Sequence, residues 1–203
     1  MKIIIGTQNQ DKLKELQNGL EDLNLNLISL KEFPKIEEIV EDGDTLKENA
    51  LIKARYVFNY TGIPTISDDT GLEVDALNGA PGVFTARFAG ENCSYEDNIN
   101  KMLKAMQSIP IKKRQAKFRT VMAFVSKNME LTAEGSVEGI IALDKKGLAG
   151  FGYDPIFYVQ DKGKTFAEMS TEEKNIISHR GRAIMSLKAK LRSHLNNIIQ
   201  ENA

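Results

Sequence analysis

Two adjacent aspartates, Asp68 and Asp69, follow an apolar run that reads as a strand, and Thr70 and Gly71 come directly after them. Adjacent side chains on a strand point to opposite faces, so one carboxylate can face a ligand while the other supports the backbone. Carboxylate oxygens are the ligands that Mg2+ prefers. The segment predicts a site at the end of a strand, where open α/β sheets bind ligands. The alternative is a solvated turn.

A second polar segment lies where the first predicted strand ends and a helix begins. Backbone N–H groups at a helix start lack intrahelical partners and favour an anion, and Lys12 adds a positive charge one turn into the helix. The glycines of a Walker loop are missing. The segment predicts a phosphate site, with an ordinary capped helix as the alternative. It consists of Thr7, Gln8, Asn9, Gln10, Asp11 and Lys12.

An aromatic loop begins at Gly150, which together with Gly152 permits a tight turn beside Phe151 and Tyr153. Either ring can stack on a base, a contact worth about 1–3 kcal/mol. Asp154 can accept a hydrogen bond from an N–H group of the base. The alternative is an aromatic loop that simply packs against the protein.

Three side chains that can carry positive charge, Lys174, His179 and Arg180, lie within seven residues near a helix start. Arg180 suits bidentate contacts to a carbonyl or a phosphate, whereas His179 can equally be a capping or core histidine. The acidic stretch from Glu37 to Asp44 can add a metal ligand, although most of its charges must be solvated or cap a helix. The four segments together are typical of an enzyme that acts on a nucleotide.

Hydrophobic periodicity places these segments on an α/β framework. Asp44 or Thr45 is expected to cap the second helix, which Gly62 ends, and Ser94 with Asp97 forms a start resembling a capping box. We predict one domain over residues 1–203, an elongated mixed-sheet α/β domain with two lobes around a central nucleotide-binding cleft. The predicted strands lie at 2–6, 25–30, 63–67, 115–126 and 130–143, and helices other than those two are predicted at 10–22, 171–176 and 180–199.

Composition excludes several classes of protein. The 203 residues carry 27 basic and 28 acidic side chains, for a net charge of −1, which argues against broad electrostatic binding to nucleic acid or an anionic membrane. The single Cys93 excludes an intrachain disulfide and a cysteine cluster for zinc. No apolar stretch approaches the roughly 20 residues that span a membrane. Because a strand follows Met1 and Lys2 directly, we expect no signal peptide and a cytoplasmic protein.

Taken in order along nearly the whole chain, these segments resemble the inosine/xanthosine triphosphate pyrophosphatase family, which acts on deaminated purine nucleotides. The departures are small: Gln8 stands where the family often has glycine or serine, and Thr70 where it usually has serine. Besides the segments above, the resemblance includes Glu41, Gly43, Thr45, Glu48, Asn49, Ala50, Lys53, Ala54, Leu72, Pro81, Gly82, Val83, Ala86, Arg87, Phe166, Ala167, Glu168 and Ser178.

The resemblance implies hydrolysis of the bond between the α and β phosphates of ITP, dITP and XTP, a magnesium ion and a homodimer. It implies that Asp69 is both proton acceptor and metal ligand, that Glu41 is a second metal ligand, and that Asp68 supports them. Residues 7–12 would hold the phosphates and Thr70 would keep a hydroxyl in the substrate site. The residues implied around the base and part of the phosphate chain are Phe151, Gly152, Tyr153, Asp154, Lys174, His179 and Arg180.

Three other functions stay open at this point. A related pyrophosphatase that acts on modified pyrimidine or methylated nucleotides would use the same chemistry. A nucleotide sensor without turnover is disfavoured by the pair Asp68 and Asp69 together with Lys12. An RNA-binding module has little support, because the charge is balanced and no stripe of aromatic and basic residues appears.

Overall fold

The computed structural model describes residues 1–37 and 39–201, with side chains described as far as Ser193. Glu38, in the acidic stretch, lies outside the described residues. The chain divides into two compact units. The helices and strands, in chain order, are β1 (Lys2–Ile5), α1 (Gln10–Leu20), β2 (Asn26–Ser29), α2 (Leu46–Thr61), β3 (Thr65–Val74), β4 (Pro81–Gly82), α3 (Tyr95–Ala105), β5 (Gln115–Ser126), β6 (Met129–Ile141), β7 (Phe157–Val159), β8 (Lys164–Thr165), α4 (Thr171–Ile177) and α5 (His179–Glu201).

The first unit comprises Met1–Asp69, Thr120–Gly135 and the residues from Arg180 onward. Its part of the sheet has the strand order β2-β1-β3-β5-β6, and β1 pairs in parallel with both β2 and β3. Leucines spaced three and four residues apart give α1 one apolar face, which packs against strand and α5 side chains. The buried core contains Ile3, Ile5, Leu13, Leu16, Leu20, Ile66, Met122, Phe124, Ala133, Ala183, Ile184, Leu187 and Leu191.

The second unit comprises Thr70–Arg119 and Ser136–His179. Its part of the sheet has the order β3-β5-β6-β7-β8, with β4 paired to β3, and the β3–β4, β6–β7 and β7–β8 pairs are antiparallel. Its separate core is rich in aromatic and methionine side chains. The buried members are Leu72, Val74, Ile99, Met102, Met106, Ala116, Phe118, Val137, Ile141, Tyr153, Ile156, Phe157, Val159, Phe166 and Met169.

Helix boundaries follow the local signals in the sequence. Thr45 caps α2 in a reciprocal pair with Glu48, and Gly62 ends it with a left-handed backbone at φ 70°. Ser94 and Asp97 form the expected capping box on α3. The mixed sheet with its helices confirms the predicted α/β class. None of the described helices is long and apolar enough to cross a bilayer.

The prediction that the third strand ends at the aspartates is wrong, because β3 continues to Val74. The parallel pairing with β1 stops at Ile66, and further along β3 pairs in antiparallel fashion with β4, Leu72 lying opposite Gly82. Tertiary pairing therefore keeps the polar residues in a strand despite their low β propensity. The short strands β4, β7 and β8 were also not predicted.

Candidate functional site

Asp68 lies on β3 between two cations. Its Oδ2 atom accepts hydrogen bonds from Lys12 Nζ at 3.1 Å and from Arg180 Nε at 3.4 Å. Burial by itself would raise the pKa of Asp68, but the positive charges of Lys12, Arg180 and Lys53 outweigh it and hold that pKa well below its ordinary value. Asp68 therefore stays ionised and acts as an anchor for the two cations that contact it.

The start of α1 carries the predicted phosphate segment. Asn9 Oδ1 accepts hydrogen bonds from the N–H groups of Asp11 at 2.9 Å and Lys12 at 3.2 Å, and the Asn9 N–H donates to Thr7 Oγ1 at 3.2 Å. The cap thus already uses amides that the prediction assigned to an anion. The Lys12 ammonium, whose pKa is lowered mainly by burial, is the charged donor at this helix start. Gln8 and Gln10, also in the predicted segment, are exposed.

Asp69 faces a different set of groups. Lys53 Nζ lies 3.1 Å from Asp69 Oδ1 and 2.7 Å from Glu41 Oε2, and Asn49 Nδ2 donates to Asp69 Oδ2 at 3.4 Å. Burial raises the pKa of Asp69 and the Glu41 carboxylate adds to the rise, although Lys53 and Lys12 oppose it. The pKa values of the two neighbouring aspartates are therefore shifted in opposite directions.

Helix α2 positions two site residues to which the sequence analysis gave no role. Asn49 and Lys53 lie one turn apart on α2 and are both buried. Asn49 Oδ1 also accepts a hydrogen bond from the Gly43 N–H at 2.8 Å, which ties the segment after Glu41 to the helix. A Cβ atom at Gly43 would lie 2.7 Å from the Cβ of Glu48, so this close approach requires glycine.

The signal that identifies Asn49 and Lys53 was present in the sequence. Both are polar residues spaced i, i+4 beside the apolar face of α2. Glu15 was also missed; it accepts a hydrogen bond from Arg180 Nη1 at 2.6 Å. Its signal is weaker, since a glutamate in a first helix is usually exposed.

The donor set fits a magnesium ion that is shared with a ligand. Glu41 and Asp69 contact the same ammonium group, so both carboxylates are within reach of one cation. Among the residues that the structure describes, no three histidine, cysteine, aspartate or glutamate side chains form a metal-binding group. Magnesium is commonly bound by one or two carboxylates together with substrate phosphates, and the pair matches that arrangement.

In the second unit, Asp154 organises the aromatic loop. Its Oδ2 atom accepts hydrogen bonds from the Phe151 N–H at 2.9 Å and from Lys174 Nζ at 2.6 Å. The Lys174 ammonium lies 4.7 Å from the centre of the Phe151 ring, within range of a cation–π contact. Gly150 has φ 76°, and a Cβ atom there would lie 2.0 Å from Asp154 Oδ2. The loop is therefore held by one buried ion pair.

The other predicted residues of this unit are mostly buried. The Tyr153 ring belongs to the core and its hydroxyl donates to the Thr85 carbonyl at 3.0 Å, while His179 stacks on Phe118 with ring centres 4.5 Å apart. Of the two aromatic rings predicted to stack on a base, Tyr153 is buried and Phe151 is half-buried.

The structure thus sorts the predicted site residues into two groups. The first unit holds Thr7, Gln8, Asn9, Gln10, Asp11, Lys12, Glu41, Asp69 and Arg180, and the second holds Thr70, Phe151, Gly152, Tyr153, Asp154, Lys174 and His179. Arg180, predicted beside the base together with Lys174 and His179, contacts Asp68 and Glu15 in the first unit.

Residues 3–190 match the Ham1 family, and the chain belongs to that family. It is 50% identical over 188 residues to a protein of Thermoanaerobacter sp. (strain X514) named dITP/XTP pyrophosphatase, covering 93% of this chain and 95% of that protein. A Ham1 protein structure from Coxiella burnetii has a TM-score of 0.87 at 43% identity, covering 95% of this chain and 99% of the other. The Ham1 protein of Staphylococcus aureus has a TM-score of 0.86 at 39% identity, covering 96% and 100%.

Proposed function

We propose that this chain hydrolyses the bond between the α and β phosphates of deaminated purine nucleoside triphosphates, dITP, ITP and XTP, and releases the monophosphate and pyrophosphate. The relatives named dITP/XTP pyrophosphatase support the reaction and the substrates, since they align with this chain over nearly its whole length. The observation that carries the proposal is the geometry around the pair Asp68 and Asp69: Asp68 contacts Lys12 and Arg180. Asp69 contacts Lys53, which also contacts Glu41.

In this proposal, Asp69 orients the attacking water and accepts its proton. Lys53 and Asn49 hold the Asp69 carboxylate in place, and a positioned carboxylate is a common general base. Asp68 stays ionised and keeps Lys12 at the start of α1, where the ammonium neutralises charge on the phosphates. Glu41 and Asp69 would hold Mg2+, which when bound supplies further neutralisation of the phosphate oxygens.

Recognition of the base rests on Phe151 and on nearby hydrogen-bond donors in this proposal. The half-buried Phe151 ring offers a stacking surface, and a stacking contact accepts every base because every base has a π-face. Selection needs hydrogen bonds: the 6-oxo group of hypoxanthine or xanthine accepts them, whereas the 6-amino group of adenine donates them. We propose that donors from Lys174, His179 and Arg180 favour the 6-oxo group, because donors left without acceptors in a buried site are costly.

A nucleotide panel tests the function. Purified protein with Mg2+ is given dITP, ITP, XTP, ATP, GTP, modified pyrimidine triphosphates and methylated purine triphosphates, and both orthophosphate and pyrophosphate are measured. We expect pyrophosphate without orthophosphate, and the highest kcat/KM on the deaminated purines. Release of orthophosphate would indicate a different bond, binding without turnover would indicate a sensor, and preference for pyrimidine or methylated nucleotides would indicate the related pyrophosphatase.

We also propose that the protein is a homodimer and that it removes deaminated purines from the cytoplasmic nucleotide pool. The family resemblance supports both statements. Light scattering coupled to gel filtration at micromolar concentration tests the first, and a monomeric mass would contradict it.

A further inference from the structure

Lys53 occupies the space between the two carboxylates that are proposed to bind the metal. Its ammonium lies 2.7 Å from Glu41 Oε2 and 3.1 Å from Asp69 Oδ1, and only 11% of its side chain is exposed. Two carboxylates that share one partner at these distances would repel each other without a cation between them. Lys53 therefore offsets the repulsion between the two carboxylates, as a bound metal ion would.

We propose that Lys53 is the resident counter-cation of the metal site and competes with the divalent ion for Glu41 and Asp69. The inference rests on the metal-binding roles given to these carboxylates in the proposed function. With Lys53 in place, the three groups carry a net charge of −1, and adding a divalent cation would make it +1. A nucleoside triphosphate brings the negative charge that offsets this excess, so the site takes the metal as a metal–nucleotide complex.

The Asp69 carboxylate and the backbone after Glu41 have supports that do not depend on Lys53. Asn49 donates to Asp69, and its amide oxygen accepts from the Gly43 N–H, which lies two residues after Glu41. Both contacts are made by a side chain in the first turn of α2, a helix with a complete capping box. Asp69 can thus keep its position when the ammonium moves away, and the segment that follows Glu41 stays tied to α2.

Displacement also gives Lys53 a second use. The ammonium sits on a flexible four-carbon stem, so once the metal holds the carboxylates it becomes a donor for the phosphate oxygens that arrive with the metal. Lys53 then contacts the carboxylates in the substrate-free site and the phosphates in the loaded site. Metal binding without nucleotide is weakened as a result.

Mn2+, which suits the same oxygen ligands as Mg2+, provides the probe. Binding of Mn2+ to protein without nucleotide is measured by electron paramagnetic resonance for the wild type, Lys53→Met and Lys47→Met. Lys47 is exposed on the same helix, so its variant controls for loss of one positive charge. We expect Lys53→Met to bind Mn2+ roughly tenfold more tightly or better, and Lys47→Met to match the wild type. Equal or weaker binding by Lys53→Met would overturn the proposal.

Thermal unfolding with Mg2+ and with a chelator gives a second readout. Without Lys53 the two carboxylates repel each other, so Mg2+ should raise the Tm of Lys53→Met and leave that of Lys47→Met unchanged. A variant that folds only with Mg2+ also supports the proposal. If Lys53→Met folds in neither condition, Lys53→Arg decides: it keeps a cation there and should bind Mn2+ as weakly as the wild type, and binding ten times tighter would contradict the proposal.

These measurements contain no turnover, so they separate the two proposals. A wild type that releases pyrophosphate from dITP alongside a Lys53→Met variant with unchanged Mn2+ affinity would remove the inference and leave the function. A gain in Mn2+ affinity in Lys53→Met, together with a wild type inactive on every nucleotide, would leave the metal competition and remove the function.

Discussion

The first unit holds its buried charges in a network of shared contacts, whereas the second unit holds them in one ion pair. In the second unit, Asp154 contacts Lys174 at 2.6 Å and a backbone N–H, and the backbone of Gly150 lies too close to admit a side chain. In the first unit the charged groups share partners. Lys53 contacts two carboxylates, Arg180 contacts two carboxylates, and Asp68 contacts two cations. The members of that network are Lys12, Lys53, Arg180, Glu15, Glu41, Asp68 and Asp69.

The difference shows how burial can serve two purposes. Because Lys53, Arg180 and Asp68 each have two charged partners, we expect this network to exchange partners when charged ligands bind. A closed pair keeps one geometry, which suits a surface that must present an aromatic ring in a fixed position. We therefore expect charged ligands at the first unit and a flat ligand at the second.

The largest expected effect comes from Asp69→Asn. The amide retains the size of the carboxylate but cannot accept a proton, and loss of one general base commonly costs roughly 10²–10⁴-fold in rate. We expect that loss in kcat on dITP with little change in unfolding midpoint, because Lys53 keeps its contact with Glu41. Near-normal turnover would show that Asp69 is not the base.

Asp68→Asn should act on stability. The substitution removes the anion shared by Lys12 and Arg180, and breaking a buried ion pair by removing one partner costs about 3–5 kcal/mol. Urea unfolding followed by circular dichroism should therefore show a much larger loss for Asp68→Asn than for Asp69→Asn. Equal losses would mean that the two aspartates do not have the separate roles that their neighbours suggest.

A smaller effect separates stacking from base selection. Phe151→Ala should weaken all purine triphosphates alike, by about 1–3 kcal/mol. Arg180→Ala should lower kcat/KM on every substrate, since Asp68 loses a partner, and should lower it further on ITP and XTP than on ATP. Arg192 lies on the same helix as Arg180, α5, and pairs with Asp22 at the protein surface. Arg192→Ala is therefore the control, because an exposed ion pair contributes little.

If Arg180→Ala lowers kcat/KM on ITP and ATP by the same factor, Arg180 acts only on the carboxylate network and the phosphates. Base selection would then have to lie elsewhere, with Lys174 as the next residue to substitute.

Local signals were sufficient for much of the fold. Thr45 with Glu48, Ser94 with Asp97, and Gly62 act within one turn of their own helices, so the sequence predicts those boundaries. The continuation of β3 beyond Asp69 depends on pairing with β4, which begins more than ten residues later along the chain. No local pattern carries that information.

Prediction of the site residues divides in the same way between local signals and contacts distant in the chain. Asp69 and Lys12 were predicted as site residues because their types, at the ends of predicted elements, indicate chemistry. Lys53 received no role because a lysine on a helix is usually exposed. Its spacing from Asn49 is a local signal, but only the folded chain brings it to Glu41 and Asp69. The sequence likewise predicts Asp154 and Lys174 as site residues, but not that the two form a pair.

The contact between Gly150 and Asp154 has a consequence for how this sequence can evolve. Any side chain at position 150 would place its first carbon against the carboxylate of residue 154, and the left-handed backbone adds strain of its own. The two positions are therefore epistatic: replacing Gly150 is most damaging while Asp154 is present and becomes easier once residue 154 is shorter. In a lineage that replaces both residues, we expect position 154 to change first, and Lys174 then loses its carboxylate partner.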